Sequence, residues 1–249
     1  GNRIEHIVAQ WLPLKDQQQW VLGVVVAIKG SSYRKVGAMM LLGETVQQWG
    51  LLSGGCLEAD LLRHARMVMD SQAAKSVTYD MTDEDDIGWQ LGIGCGGMVK
   101  VMLMPINASN NYLRLPELAS TLNKGQRAFY WLNIDNICEN QLITCADQVS
   151  ELNANAANWL LLSGEASKPY VVEGDDNGLL LPLKPAPHMA IFGGGVDAIP
   201  LMTLAKNIGW RVTIVDSRPA YGHPNHFHQA DEIIKLTASE LASHGILSS

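Results

Sequence analysis

The chain has 249 residues, 47% of them hydrophobic and 17% charged. That composition is too apolar for a disordered chain, and the length suits one large domain or two smaller ones. The formal net charge of −7 and the lack of a basic stripe speak against nucleic acid as a partner, and no apolar run is long enough for a membrane-spanning helix.

Ile4, Ile7, Val8, Trp11 and Leu12 recur at helical spacing and predict a helix over Ile4–Leu14. The β-branched run Val21–Ile28 predicts a buried strand, broken at Gly30-Ser31-Ser32. Arg34 and Lys35 follow that turn, where positive charge suits a phosphate but is more often simply part of a solvated loop. Short strands are expected over Ala38–Leu42 and Gln47–Leu52, with a turn at Gly43-Glu44.

The stretch Ser53-Gly54-Gly55-Cys56-Leu57-Glu58 comes next. Leu57, Leu61, Ala65, Val68 and Met69 share one face of a helix over Leu57–Met69, and Glu58 and Asp60 fall in its first turn. Cys56 is therefore expected at a helix N-terminus, where backbone N–H groups lower a thiol's pKa. A second thiol, Cys95, lies within Gly92-Ile93-Gly94-Cys95-Gly96-Gly97, before the strand Met98–Met104. Two glycine-flanked cysteines, each beside a regular element, read as two sides of one pocket. A short strand over Val77–Tyr79 precedes the acidic run at residues 80–86, which lacks EF-hand spacing and reads as a solvated loop. Pro105 is taken as the end of this first unit.

Beyond it, a helix over Leu113–Leu122, strands over Ala128–Ile134, Leu142–Thr144 and Trp159–Leu162, and a hairpin of Tyr170–Glu173 with Leu179–Leu183 are expected. Cys138 and Cys145 have no glycine partners and are given no role. Pro182, Pro185 and Pro187 mark a linker. His188–Phe192 is then a short strand, Gly193-Gly194-Gly195-Val196-Asp197-Ala198 matches G-x-G-x-x-A, a helix runs to Ile208, and the strand Arg211–Val215 ends at Asp216. That is the dinucleotide-binding layout, with Gly193, Gly195 and Ala198 forming the turn and Asp216 placed for the ribose hydroxyls. Asp197 competes with a pyrophosphate there, and about three strands are expected where a full doubly wound sheet has about six. NAD binding is therefore expected to be weak. His223, His226 and His228 crowd one loop, read as polar rather than metal-binding because no cysteine completes a tetrahedral set.

The fold class expected is α/β: a mixed N-terminal domain over residues 1–105, a middle α/β segment with linker over 106–186, and a partial Rossmann-like domain over 187–249. The four cysteines lack zinc-knuckle or CxxC spacing, no signal-peptide pattern opens the chain, and reduced thiols in the cytoplasm are expected.

Gly30-Ser31-Ser32 with Gly37-Ala38-Met39-Met40, Ser53–Glu58 and Gly94-Cys95-Gly96-Gly97 resemble the N-terminal domain of the XdhC/CoxI family. Phe192–Ala198 with Asp216-Ser217-Arg218 resembles that family's Rossmann domain, in which the position of Val196 is usually His. The resemblance implies an accessory factor rather than an enzyme. Such a factor binds the molybdenum cofactor (molybdopterin), protects it while a desulfurase donates its terminal sulfur, and delivers it to a xanthine dehydrogenase-type hydroxylase apoenzyme. It implies a cofactor site at Ser31, Ser32, Arg34, Gly54, Gly55, Cys56, Glu58, Gly94, Cys95, Gly96 and Gly97, and allows a homodimer. Two other classes fit single features: an NAD-dependent oxidoreductase fits the glycine turn, and a thiol redox protein fits Cys56 and Cys95.

Overall fold

A run of ten mostly apolar residues, β1 (Trp20–Lys29), forms the centre of a five-stranded antiparallel sheet. Its neighbours are β2 (Met39–Gly43) and β5 (Met98–Ile106), with β3 (Gln48–Gly50) and β4 (Lys75–Asp80) at the edges, in the order β3-β2-β1-β5-β4. The computed structural model describes residues 2–45, 47–80, 97–134, 140–143, 169–172 and 178–241. The expected strand over Trp159–Leu162, Cys138 and Cys145, and all but the first residue of the acidic run lie outside them.

Both faces of this sheet are buried, which is why its strands read as continuous apolar runs. Trp20, Leu22, Val24 and Val26 of β1 point into one core with Leu41, Met102 and Met104. Val21 and Val25 point into the other with Met40, Leu42, Val101 and Leu103. The first core is closed by α1 (Ile4–Trp11), α3 (Leu115–Asn123) and a four-stranded sheet. That sheet contains β6 (Ala128–Asn133), β7 (Gln141–Ile143), β8 (Tyr170–Val172) and β9 (Gly178–Leu183), in the order β7-β6-β9-β8. The second core is closed by α2 (Glu58–Ser71), through Leu61, Ala65, Val68 and Met69.

Pro105 lies inside β5 instead of ending it, opposite Val21 of β1. The pairing of β5 with β4 stops at Leu103, so at Pro105 the strand has become an edge on that side, where a residue without an N–H is tolerated. A left-handed turn follows, with φ of 51°, 50°, 52° and 59° at Asn111, Tyr112, Leu113 and Arg114. Local preference opposes such a turn, and tertiary contacts hold it. The Tyr112 hydroxyl donates to Asp16 at 2.6 Å, and the Tyr130 hydroxyl donates to the Leu113 carbonyl at 2.6 Å.

Contacts divide the chain into residues 2–184 and a second unit beginning at Pro185. The second unit is a parallel sheet in the order β10 (His188–Phe192), β11 (Arg211–Val215), β12 (Glu232–Ile234), with α4 (Ala198–Asn207) joining the first two strands. Its core gathers Ile191, Ala198, Met202, Ala205, Val212, Ile214 and Phe227. This strand, glycine turn, helix, strand order is the Rossmann layout expected from the sequence. Among the described residues no helix is long and apolar enough to cross a membrane.

Candidate functional site

Antiparallel pairing brings one set of strand ends together. Lys29 of β1 pairs with Met98 of β5, Asp80 of β4 pairs with the same Met98, and Met40 of β2 pairs with Gly50 of β3. The loop after β1, the segment between β3 and α2, and the start of β5 therefore emerge at the same end of the sheet. These are the places where the sequence puts its glycine motifs.

The segment before α2 is built around Glu58. The carboxylate is only 5% exposed and turned away from solvent. Its Oε1 accepts from the Leu52 and Ser53 amides at 3.1 and 3.0 Å, and its Oε2 accepts from the Ser53 hydroxyl at 2.5 Å. The Ser53 hydroxyl in turn accepts from the Leu57 amide at 2.8 Å. Burial pushes the Glu58 carboxyl up, but these donors outweigh it and hold the group below its ordinary value. Glu58, expected among the cofactor-binding residues, therefore acts on its own chain. It draws 52–53 and the start of α2 together so that Gly54-Gly55-Cys56 must bulge outward.

Gly54 and Gly55 take φ of +81° and +110°, a region that favours glycine. Cys56 is a free, exposed thiol. A Cβ on Gly54 would lie 3.3 Å from the ring of Tyr33, and one on Gly55 would meet nothing within 4 Å. Tyr33 itself is 61% exposed, so an exposed aromatic ring stands against the glycine turn at Gly54. The sequence reading missed Tyr33; its place between Ser32 and Arg34 was the available signal.

The start of β5 reaches the same place. A Cβ on Gly97 would lie 2.2 Å from the Ser31 carbonyl oxygen and 2.5 Å from that of Lys29, so only glycine fits against this backbone. Gly97 and Gly54 thereby both pack on the loop after β1, at Ser31 and at Tyr33. Ser32 donates its hydroxyl proton to the Arg34 carbonyl at 2.8 Å, which closes that loop on itself. Gly94, Cys95 and Gly96 lie outside the described residues. Arg34 lines a cavity with residues of α1 and β9, on the α1 side of the sheet, and no residue of 53–58 lines that cavity.

In the second unit, Asp216 is 6% exposed and fully engaged. It accepts from the Gly194 amide at 2.7 Å, the Arg218 amide at 2.9 Å and the Arg218 guanidinium at 3.0 and 2.8 Å. Arg218 holds the Asp216 carboxyl well below the usual carboxylate range, and the two amides add to this against the opposing effect of burial. The expected ribose acceptor is instead a clamp on the glycine turn. Gly194, the middle glycine, packs on Gly222: its carbonyl accepts from the Gly222 amide at 2.9 Å, and a Cβ on it would lie 2.2 Å from that nitrogen. The Arg218 guanidinium sits 3.6 Å from the centre of the Tyr221 ring. Asp197 precedes α4, and its Oδ1 lies 2.4 Å from where a Cβ on Gly195 would be. A carboxylate therefore lies over the turn that a pyrophosphate would approach, while Val196 beside it is 72% exposed.

Two family models match this chain: the XdhC and CoxI family over residues 14–80, and the XdhC Rossmann domain over residues 189–247. The chain belongs to the XdhC and CoxI family. A Bacillus subtilis protein named as a probable xanthine dehydrogenase subunit is 29% identical over 244 residues, covering 92% of this chain and 69% of that protein. The Escherichia coli molybdenum cofactor insertion chaperone PaoD is 25% identical over 200 residues, covering 80% of this chain and 54% of PaoD. This chain therefore spans little more than half the length of PaoD. A crystal structure from Bacillus halodurans, named a xanthine dehydrogenase, superposes with a TM-score of 0.76 at 28% identity, over 97% of this chain and 70% of that one.

Within this XdhC-family chain the first model covers the Cys56 turn and its Glu58 clamp, and the second covers the Asp216 clamp. Among the described residues no group of three or more His, Cys, Asp or Glu is placed to hold a metal; His223 and His226 have ring centroids 6.1 Å apart.

Because Glu58 is depressed in the folded state, its stabilisation is complete above the ordinary glutamate range and is lost as pH falls through the lower folded value. Glu58→Gln should cost about 1.5–3 kcal/mol at neutral pH, the range for hydrogen bonds to a charged group. The gap between the proteins should shrink on acidification below about pH 4. Urea unfolding at neutral and acid pH measures it, and an equal gap at both would contradict the clamp.

With Asp216 engaged and Asp197 over the turn, NAD titrated into the protein should form no complex tighter than millimolar by calorimetry. Asp216→Asn should lower the melting temperature without improving NAD affinity. A micromolar NAD complex would show that the clamp opens.

Proposed function

We propose that this chain is a maturation chaperone that holds the molybdenum cofactor and passes it to a xanthine dehydrogenase-type molybdenum hydroxylase. The observation that carries this reading is the exposed Cys56 thiol on a glycine turn locked from beneath by Glu58, in a chain of the XdhC and CoxI family. The Escherichia coli relative, a molybdenum cofactor insertion chaperone, supports this class of function, and the Bacillus subtilis relative, named as a probable xanthine dehydrogenase subunit, supports the link to such a hydroxylase.

The residues present fit the group. A thiolate is a soft ligand suited to a sulfur-rich metal centre. Gly55 leaves open space beside it, and the exposed Tyr33 ring offers a face on which a flat pterin stacks. Cys56, Gly54, Gly55, Tyr33, Ser31, Ser32 and Gly97 would hold the cofactor, with Gly94, Cys95 and Gly96 joining them from the segment before β5. When bound, the cofactor supplies the molybdenum centre on which hydroxylase chemistry depends.

The chain's own residues do the rest. Glu58 fixes the turn, so Cys56 meets its ligand without an ordering cost at that moment. In this reading a desulfurase donates sulfur while the cofactor is held, the apo-hydroxylase then receives it, and a cytoplasmic homodimer is the working form.

The test is co-purification from cells that make the cofactor. Wild type should carry molybdenum and a fluorescent pterin. Cys56→Ser, folded by circular dichroism, should carry about tenfold less, the loss expected for one strong contact. Folded wild type without either signal would overturn the reading, and so would Cys56→Ser and Cys95→Ser proteins that each load and activate a hydroxylase as wild type does.

A further inference from the structure

On the α1 side of the five-stranded sheet lies a cavity of about 530 Å³. The start of α1, the loop between β1 and β2, and the end of β9 surround it. Four charged side chains line it: Arg3, Glu5, Arg34 and Lys184. Two of them satisfy each other. Arg3 Nε donates to the buried Glu5 carboxylate at 2.6 Å, and Arg3 Nη2 donates to the Lys184 carbonyl at 2.5 Å. That pair is neutral overall and pins the end of β9 to the start of α1.

Arg34 and Lys184 are left. Arg34 is half-buried in the wall and Lys184 stands exposed at the rim, and among the described residues neither side chain has a hydrogen bond or an ion pair. Two like charges sharing one cavity repel, and the partial burial of Arg34 removes some of the water that screens it. This happens in a chain whose formal net charge is −7, where carboxylates are the commoner charged group. An anion between the two cations would reverse the sign of the local interaction. Arginine's planar fork matches a phosphate in two-point contact, and lysine supplies a point charge that can swing in from the rim. The cavity is larger than a phosphate ion and falls within the size range of small-molecule sites. Ile4, Met39 and Leu183 give it apolar walls beside the cations.

We propose that Arg34 and Lys184 form a binding site for a phosphate group in this cavity. The site is distinct from the Cys56 turn: its walls belong to the α1 side of the sheet, whereas α2 and the 53–58 segment pack on the opposite side. It does not rest on the molybdenum reading, because the charge argument is the same whatever the phosphate is attached to. Free inorganic phosphate and a phosphate monoester of a ring-bearing molecule share this chemistry.

Calorimetric titration of the full chain in phosphate-free buffer tests it, with inorganic phosphate and phenyl phosphate as probes. Wild type should bind, more weakly as salt is raised. Arg34→Gln and Lys184→Gln should each weaken binding by about tenfold or more, the loss expected for a charge-assisted contact. Lys184→Arg keeps the charge and should keep the affinity, which separates loss of charge from damage to the fold. Lys100→Gln, an exposed change on β5, should bind as wild type does. Tighter binding of phenyl phosphate assigns the cavity to an organic phosphate, and equal binding assigns it to the free ion. Absence of binding at millimolar probe would overturn the proposal. So would a loss in Arg34→Gln that Lys184→Gln does not share, because the anion would then lie on the loop and outside the cavity.

Discussion

One buried carboxylate governs the shape of the Cys56 turn. An ionised group withdrawn from water is costly unless its oxygens are fully used, and Glu58 meets that condition with two amides and one hydroxyl from residues 52–53. Because the donors are groups five and six residues before it, meeting the carboxylate's demand curls the intervening chain. The glycines accept the resulting φ values, and the only side chain left on the outside of the curl is Cys56. The thiol's exposure follows from satisfying a charge somewhere else.

Asp216 does a similar job in the second unit. There too a carboxylate that sequence reasoning assigns to a ligand is consumed by the chain, by the Gly194 amide and by Arg218. The outcome differs because the geometry differs. Glu58 pushes a turn outward and leaves it open, whereas Asp216 pulls the glycine turn inward under the Gly222 loop. The Rossmann layout is thus present while the acid at the end of β11 already accepts four hydrogen bonds from its own chain.

Much of this was legible in the sequence, for identifiable reasons. The central strands were readable because both faces of their sheet are buried, leaving unbroken apolar runs. The Rossmann unit was readable because strand, glycine turn, helix and strand follow in one short stretch. The pairing of Tyr170 with Leu180 confirms the hairpin read from its turn residues. What escaped was orientation. Spacing places Glu58 in the first turn of a helix, where acids usually face water, and nothing local says that it folds back beneath the chain. Arg34 was grouped with the Cys56 turn as part of one cofactor site, but it lines a cavity that no residue of 53–58 reaches. Its cavity is completed by residues from the two ends of the first unit: Arg3 and the Lys184 carbonyl it bonds are 181 positions apart. Pro105 misled because proline is a good breaker in general, and only the strand order shows that β4 has already ended there.

The left-handed turn at Asn111–Arg114 bears on the order in which the molecule assembles. Each such residue is disfavoured locally, by roughly 1–2 kcal/mol outside glycine. The contacts that compensate, from Asp16 to Tyr112 and from Tyr130 to Leu113, join parts of the chain far apart in sequence. A segment with that balance cannot nucleate anything. It takes its shape only once the segment after α1 and strand β6 are in place to hold it, so it belongs to the late side of the folding barrier. Substitutions such as Tyr112→Phe should then speed unfolding and leave the folding rate nearly unchanged, giving a φ-value close to zero in a chevron measurement. A value near one would place this turn in the nucleus instead.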